Sequence, residues 1–326
     1  MKKYFLLFLV FLPAISFSQS FKKSEPFTHT YSIVARDSVT GDMGVAVQSH
    51  WFNVGGIVIY GEAGVGVVAT QSLVNPSYGP KGLALMSQGL DPQQALDALL
   101  ANDSGQMYRQ VAFLNSKGQV AAHTGSLCIA EAGHRKGKNF SVQANMMLNN
   151  TVWNAMAEAF EEATGSLSER MLAAMKAAEN ERGDIRGKQS AAILIVKGKS
   201  TGNSWEDTVM DLRVEDHENP TQELERLIQI HKAYDFMNKG DLAMEKGDSV
   251  EAEKLYLNAQ KLFPENLEMQ YWYAINLLNN KQFEKAEPIL KSIFKQNKDW
   301  KTLTSRLIVS KLLAVSNEEL QQILSW

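Results

Sequence analysis

Cysteine is almost missing from this chain. Cys128 stands alone, so no internal disulfide can form and packing has to hold the fold. A charge excess is missing as well. The net charge is −3 and no basic block interrupts the sequence, which removes the electrostatic footprint expected of a nucleic-acid binder. Long apolar runs are missing after the first residues, so no later segment is expected to span a membrane. Metal-ligand spacing is missing too. His50, His123 and His134 have no partner at ligand spacing, and Cys128 has no second pair beside His123. No metal and no cofactor are therefore expected.

What is present is a foldable chain. Its 326 residues are 44% hydrophobic and 21% charged, ordinary values for a globular protein of two domains. The first residues read as an export signal: Lys2 and Lys3 precede an apolar run, Tyr4 to Phe17. That run has signal-peptide length rather than the length of a membrane anchor, its alternative reading. Ser16 and Ser18 are the small residues of a cleavage site, so cleavage after Ser18 is expected, with residues 1–18 as the signal. The mature protein is then expected in a periplasm or outside the cell. Phe21 to Phe27 reads as a loose arm.

Apolar and β-branched runs predict strands over 30–35, 43–48, 57–60 and 65–70, the first two joined by the turn 37–42. Further strands are predicted at 111–115, 119–123 and 140–144, with 191–196 closing the domain. Helical spacing is predicted over 79–88, 92–101, 151–164 and 167–178. Hairpins with segregated helix pairs imply antiparallel sheets covered by helices, not a doubly wound parallel sheet. The fold class is α+β: a layered sandwich with helices outside and sheets inside, over residues 28–214. The acidic stretch 205–225 reads as a linker to a helical domain over 226–326.

That second domain carries a repeat. Gly240, Gly247, Ala252, Tyr256, Ala259 and Pro264 match the small-and-aromatic spacing of a tetratricopeptide repeat. About thirty-four residues on, Ala274 replaces Gly240 and Ala286 replaces Ala252. A single amphipathic helical hairpin is the plainer alternative. A capping helix is predicted over 302–313. Tyr271 to Tyr273 are candidates to face a partner, with packing inside the repeat the plainer reading for most of them.

Two motifs invite chemistry and do not carry it. Gly64-Val65-Gly66-Val67-Val68-Ala69 imitates a dinucleotide fingerprint but stays inside an apolar strand segment, where tight packing explains it. Cys128 is read as a small buried thiol rather than a nucleophile. The denser polar signals fall in strand-end loops: Asn75-Pro76-Ser77-Tyr78-Gly79, Gln143-Ala144-Asn145 and Asp184 to Ser190.

These segments do not stand alone. Thr30 to Asp37, Gly44 to Val47, Ala69-Thr70-Gln71, Asn75 to Gly79, Ala122 to Gly125, Ala132 to His134, Val142 to Met146 and Arg186 to Ser190 follow one another in an order that resembles domain-of-unknown-function family 1028. That family is similar to the N-terminal-nucleophile hydrolases, whose fold is a four-layer αββα sandwich. The resemblance implies a nucleophile at Thr30, which opens the first strand, with its own α-amine as base. Asp37, His50, Asn75, His123, Asn145 and Arg186 are the orienting or polarising candidates. After signal cleavage the segment Gln19–His29 would still precede Thr30, so a second cut at His29–Thr30 is required. No lysine lies between Tyr31 and Gly79, where proteasome-like threonine amidases place one.

Three functions follow as expectations. The first is an exported amidase acting on a peptide or peptidoglycan fragment. The second is a non-catalytic periplasmic protein that binds a small ligand or acts as a scaffold, recruiting a protein partner through its repeats. In the third, the repeats serve self-association into a homo-oligomer.

Overall fold

The computed structural model describes residues 27–326. The signal segment 1–18, its cut after Ser18 and the arm up to Pro26 lie outside the described residues. The N-terminal domain is mixed α/β. It opens with β1 (Phe27–Thr28), β2 (Thr30–Arg36) and β3 (Met43–Ser49), then α1 (Gly55–Val58), β4 (Ile59–Glu62) and β5 (Gly66–Leu73). Two helices follow, α2 (Tyr78–Ser87) and α3 (Pro92–Leu100), and then four strands: β6 (Arg109–Asn115), β7 (Val120–Thr124), β8 (Gly133–Gly137) and β9 (Phe140–Ala144). Helices α4 (Val152–Glu162) and α5 (Leu167–Asn180) precede β10 (Ser190–Val196) and β11 (Thr208–Val214).

The strands form two antiparallel sheets. In the first, β5 pairs with β6 and β6 with β7, while β4 and β1 share the other edge of β5. The second runs β11-β10-β3-β2-β9-β8. Strand periodicity sorts their side chains into three apolar layers. Val34 of β2, Val45 and Val47 of β3, Val67 of β5, Leu114 of β6 and Leu194 of β10 meet between the sheets. Val68, Val111 and Phe113 point the other way, onto α2 and α3. Tyr31, Ile33, Ile193 and Ile195 pack against α4 and α5. Burial on both faces is why these strands read as continuous apolar runs rather than alternating ones.

Local chemistry sets the element ends. Asp91 caps α3: its carboxylate accepts from the Gln94 amide at 2.9 Å and its own amide donates back to Gln94 Oε1 at 3.1 Å, with Pro92 opening the first turn. The glycine-rich run at 64–69 is tight strand packing, as expected. A Cβ on Gly66 would sit 2.3 Å from the Leu114 carbonyl oxygen across the ladder.

Several boundaries differ from expectation. Residues 57–60 are not one strand but the end of α1 followed by β4. The stretch 205–225 is not a linker, and β10 does not close the sheet. Strand β11 does, buried at Met210 and Val214 and wet at Asp211 and Arg213, an edge strand with one solvated face. The polar edge strand β8 was not anticipated either; its Arg135 and Lys136 are edge-protecting charges.

Helix α6 (Pro220–Glu245) runs without a break from one domain into the next. Its Leu224 and Ile228 belong to the core of the α/β domain, and its Ala233, Met237 and Ala243 to the helical core. A division at residue 226 therefore cuts through a helix. The helical domain continues with α7 (Ser249–Leu262), α8 (Leu267–Asn279), α9 (Phe283–Gln296), α10 (Asp299–Leu307) and α11 (Asn317–Ser325). The helix expected over 302–313 starts earlier and stops sooner, as α10 ending at Leu307, and α11 follows beyond that range. The repeat glycine does what its position requires: a Cβ on Gly240 would meet the Tyr256 ring at 2.8 Å. Tyr271 and Tyr273 are buried in the helical core rather than exposed, and only Trp272 of the three is half-buried. Among the described residues no helix is long and apolar enough to cross a membrane.

Candidate functional site

The chain changes sheets at one residue. Phe27 and Thr28 pair with Leu73 and Ser72 in the first sheet, and Thr30 pairs with Ser49 in the second. The peptide of His29 bridges the two. Its carbonyl accepts from the Ser49 hydroxyl at 2.5 Å and from Arg186 Nη2 at 2.8 Å. The next carbonyl, that of Thr30, accepts from the Asn145 amide at 3.1 Å, Asn145 Nδ2 at 3.3 Å and Gln71 Nε2 at 3.2 Å. Thr30 itself is fully buried, and its hydroxyl donates to the Thr28 carbonyl at 2.8 Å.

Arg186 is aimed by Asp184, whose side chain is completely buried. Nε donates to Oδ1 at 3.0 Å and Nη2 to Oδ2 at 2.7 Å. The same carboxylate accepts the amides of Arg186 at 2.9 Å and His50 at 3.1 Å. A fully hydrogen-bonded acid is what makes a buried ion pair tolerable, and the Nη2 that Asp184 holds also donates to the His29 carbonyl.

Behind this carbonyl pair lies a layer of amides between the sheets. Gln71, Gln110, Gln143 and Asn145 are all fully buried. Ser32 donates to Gln71 Oε1 and receives from Gln143 Nε2, each at 2.6 Å. Gln71 Nε2 and Asn145 Nδ2 both donate to Gln110 Oε1, at 2.7 and 2.9 Å. Gln110 Nε2 reaches the Ala144 carbonyl at 2.8 Å and Thr124 at 3.0 Å, and Thr124 contacts His134 Nδ1 at 2.8 Å. Such a network is rigid because each buried polar group has a partner.

The amide layer fixes the His29 tautomer. Asn145 spends its NH2 group on Gln110 and Thr30, so its Oδ1 is an acceptor and His29 Nδ1, 2.9 Å away, carries the proton. Burial, with Arg186 adding to it, holds the His29 ring below its ordinary value of 6.5, against the hydrogen bond to Asn145 and the Asp184 charge. That favours the neutral ring. Burial likewise pushes up the Cys128 thiol, which donates weakly to the Arg109 carbonyl at 3.4 Å. The thiol is half-buried rather than fully buried as the sequence reading expected.

Of the seven candidates, Thr30, Asn145 and Arg186 converge, and His50 touches the cluster through its backbone amide. Asp37 sits in the β2–β3 turn, accepting the Val39 amide at 2.7 Å. Asn75 accepts the Ser77 amide at 3.1 Å in the turn before α2. His123 contacts the Gln106 carbonyl at 2.9 Å. The hydrogen bonds of these three are with local structure. Sequence reading missed Ser49, Gln71, Gln110, Gln143 and Asp184 as site residues. The available signal was amides lodged in otherwise apolar strands. Among the described residues no three His, Cys, Asp or Glu side chains converge as a metal site would require.

A family described as "Family of unknown function (DUF1028)" matches residues 30–224, and a tetratricopeptide repeat family matches residues 243–307. The crystal structure of protein SPO2555 from Silicibacter pomeroyi, titled with the same family, is similar at 32% identity. The likeness covers 62% of this chain and 88% of that one, with a TM-score of 0.56. No curated protein matches.

Proposed function

The chain belongs to the family of unknown function DUF1028, and we propose that its α/β domain is an amide hydrolase of the N-terminal-nucleophile type, latent until the His29–Thr30 bond is cut. The three apolar layers support reading the domain as a four-layer αββα sandwich. The family match beginning at Thr30 supports the position of the cut. The observation that carries the reading is the His29 carbonyl, held by one charged and one neutral donor and followed directly by a hydroxyl-bearing residue.

The chemistry closes on these atoms. Thr30 Oγ1 attacks the His29 carbonyl carbon through a five-membered ring, and Ser49 and Arg186 stabilise the oxyanion. The C–N bond breaks, the nitrogen takes the hydroxyl proton, and an ester joins His29 to Thr30. Water hydrolyses it, releasing the His29 carboxylate and a free Thr30 amine. In turnover that amine takes the hydroxyl proton as Oγ1 attacks a substrate amide. The departing amine receives the proton, and water releases the acid. Gln71 and Asn145 hold the Thr30 backbone throughout. The Arg186–Asp184 pair supplies the fixed positive charge, with no lysine needed. If residues 1–18 direct export, the reaction runs outside the cytoplasm, on a peptide or peptidoglycan fragment.

The repeats make the C-terminal region a protein-binding helical domain. A groove of about 530 Å³ opens between its helices, lined by Asp241, Glu245, Tyr256, Trp272 and Lys311. We assign partner recruitment to this face. The fully buried Thr30 of the uncut chain favours a second reading for that form alone, a scaffold without turnover. Amide turnover by the wild type and by Thr30→Ala separates the readings. The substitution is expected to remove about a thousandfold or more of the activity, whereas undiminished activity would rule Thr30 out as nucleophile.

A further inference from the structure

We infer that this site takes its substrate as an extended peptide, added as a strand to the edge of β5, with the residue on the acyl side of the scissile bond seated where His29 lies. This rests on the hydrolase reading above. The outer edge of β5 has two occupants. Strand β4 covers Gly66 to Ala69, and β1 covers Ser72 and Leu73. Cutting at His29–Thr30 turns β1 and His29 into the acyl product. Their departure leaves the main-chain groups of Ser72 and Leu73 as an unpaired sheet edge, a template for another extended chain. Self-cutting and turnover place an acyl group on the same oxygen, Thr30 Oγ1. The acyl half of a substrate therefore lies where residues 27–29 lie now.

The vacated seats carry their own selectivity. Thr28 is fully buried and His29 is 4% exposed, so both side chains fill closed pockets. The seat of His29 presents Asn145 Oδ1, an acceptor whose NH2 partner group is already committed. It favours a residue that donates a hydrogen bond and penalises an aliphatic one, which would leave that oxygen unpaired. The seat of Thr28 does the opposite. Thr28 Oγ1 is buried with no hydrogen-bond partner among the described residues. Valine, of the same shape without the hydroxyl, fits there better than threonine. The substrate class is thus a peptide with an apolar, β-branched residue followed by a histidine-like donor before the bond that breaks.

The test uses the full chain after its mass shows Thr30 as first residue, with four aminomethylcoumarin amides: acetyl-Phe-Val-His, acetyl-Phe-Thr-His, acetyl-Phe-Val-Leu and acetyl-His. The first is expected to exceed acetyl-His at least about tenfold in kcat/KM, through the strand contacts it alone makes. It should exceed acetyl-Phe-Val-Leu by about tenfold and acetyl-Phe-Thr-His by about fivefold. Equal cleavage of acetyl-His and the tripeptides would overturn the strand seat while leaving the hydrolase standing. So would inertness of all four amides in a protein that cleaves a non-peptide amide. A chain whose Thr30 never becomes the first residue, and which cleaves none of them, would overturn both.

Discussion

Arg186 reaches the His29 carbonyl because Asp184 grips it at two nitrogens, 3.0 and 2.7 Å away. Its Nη2 serves both Asp184 and His29, and Nε supplies the second grip that fixes the direction of the guanidinium. Lysine keeps the charge but loses that second grip. Arg186→Lys is expected to slow the cut at His29–Thr30 by about a hundredfold, read as the half-time of the mass change. Unslowed cutting would remove Arg186 from the oxyanion site. Histidine burial makes a second statement at this scale. The rings of His29 and His134 are both held below 6.5, chiefly by burial. The unfolded chain then binds protons more readily, so the stability these neutral rings contribute is complete above 6.5 and is lost as the pH falls below it. Melting temperature should drop as the pH is lowered through that window, and less steeply in His134→Gln. An unchanged slope would show that His134 titrates alike in both states. At this scale the sequence pointed to Thr30, Asn145 and Arg186, which stand in strand-end segments and come together beside the His29 and Thr30 carbonyls. Ser49, Gln71 and Gln110 were not named as candidates, because they lie within strands and meet that cluster only when one sheet lies over the other. Gln143 shares the strand-end segment of Asn145 and was passed over.

Elements were legible where periodicity was strong. The strand at 140–144 was read with the ends it has, and α4, α5 and the central strands within a few residues. Elements whose composition opposed their geometry were not. Strand β11 alternates Met210 and Val214 with Asp211 and Arg213, and its acidic surroundings disguised that period as a linker. Strand β8, with Arg135 and Lys136, carries no apolar run at all. The repeat was readable because close helix approach demands small residues. Tyr256, anchored to Asp241 at 2.7 Å, lies against Gly240. Gly240→Ile is expected to force α6 and α7 apart at a cost of about 2 kcal/mol, more than the helix propensity gained. A urea midpoint that stays in place would show that Tyr256 moves aside freely.

At the scale of the molecule, two cores share one helix. Ile228 and Ala233 are both fully buried, one in each core, little more than a turn apart on α6. The two cores are thereby joined through one continuous helix, a coupling no composition shift could reveal. The same domain keeps its candidate nucleophile under a strand that pairs with only two residues of β5. Activity of the proposed kind requires that this strand be released. Intact mass and N-terminal sequencing of the purified full chain, followed over time at neutral pH beside Thr30→Ala, decide it. A species beginning at Thr30 that accumulates in the wild type and never in the variant is the expected result. A wild-type chain that keeps the His29–Thr30 bond as firmly as the variant does would contradict it.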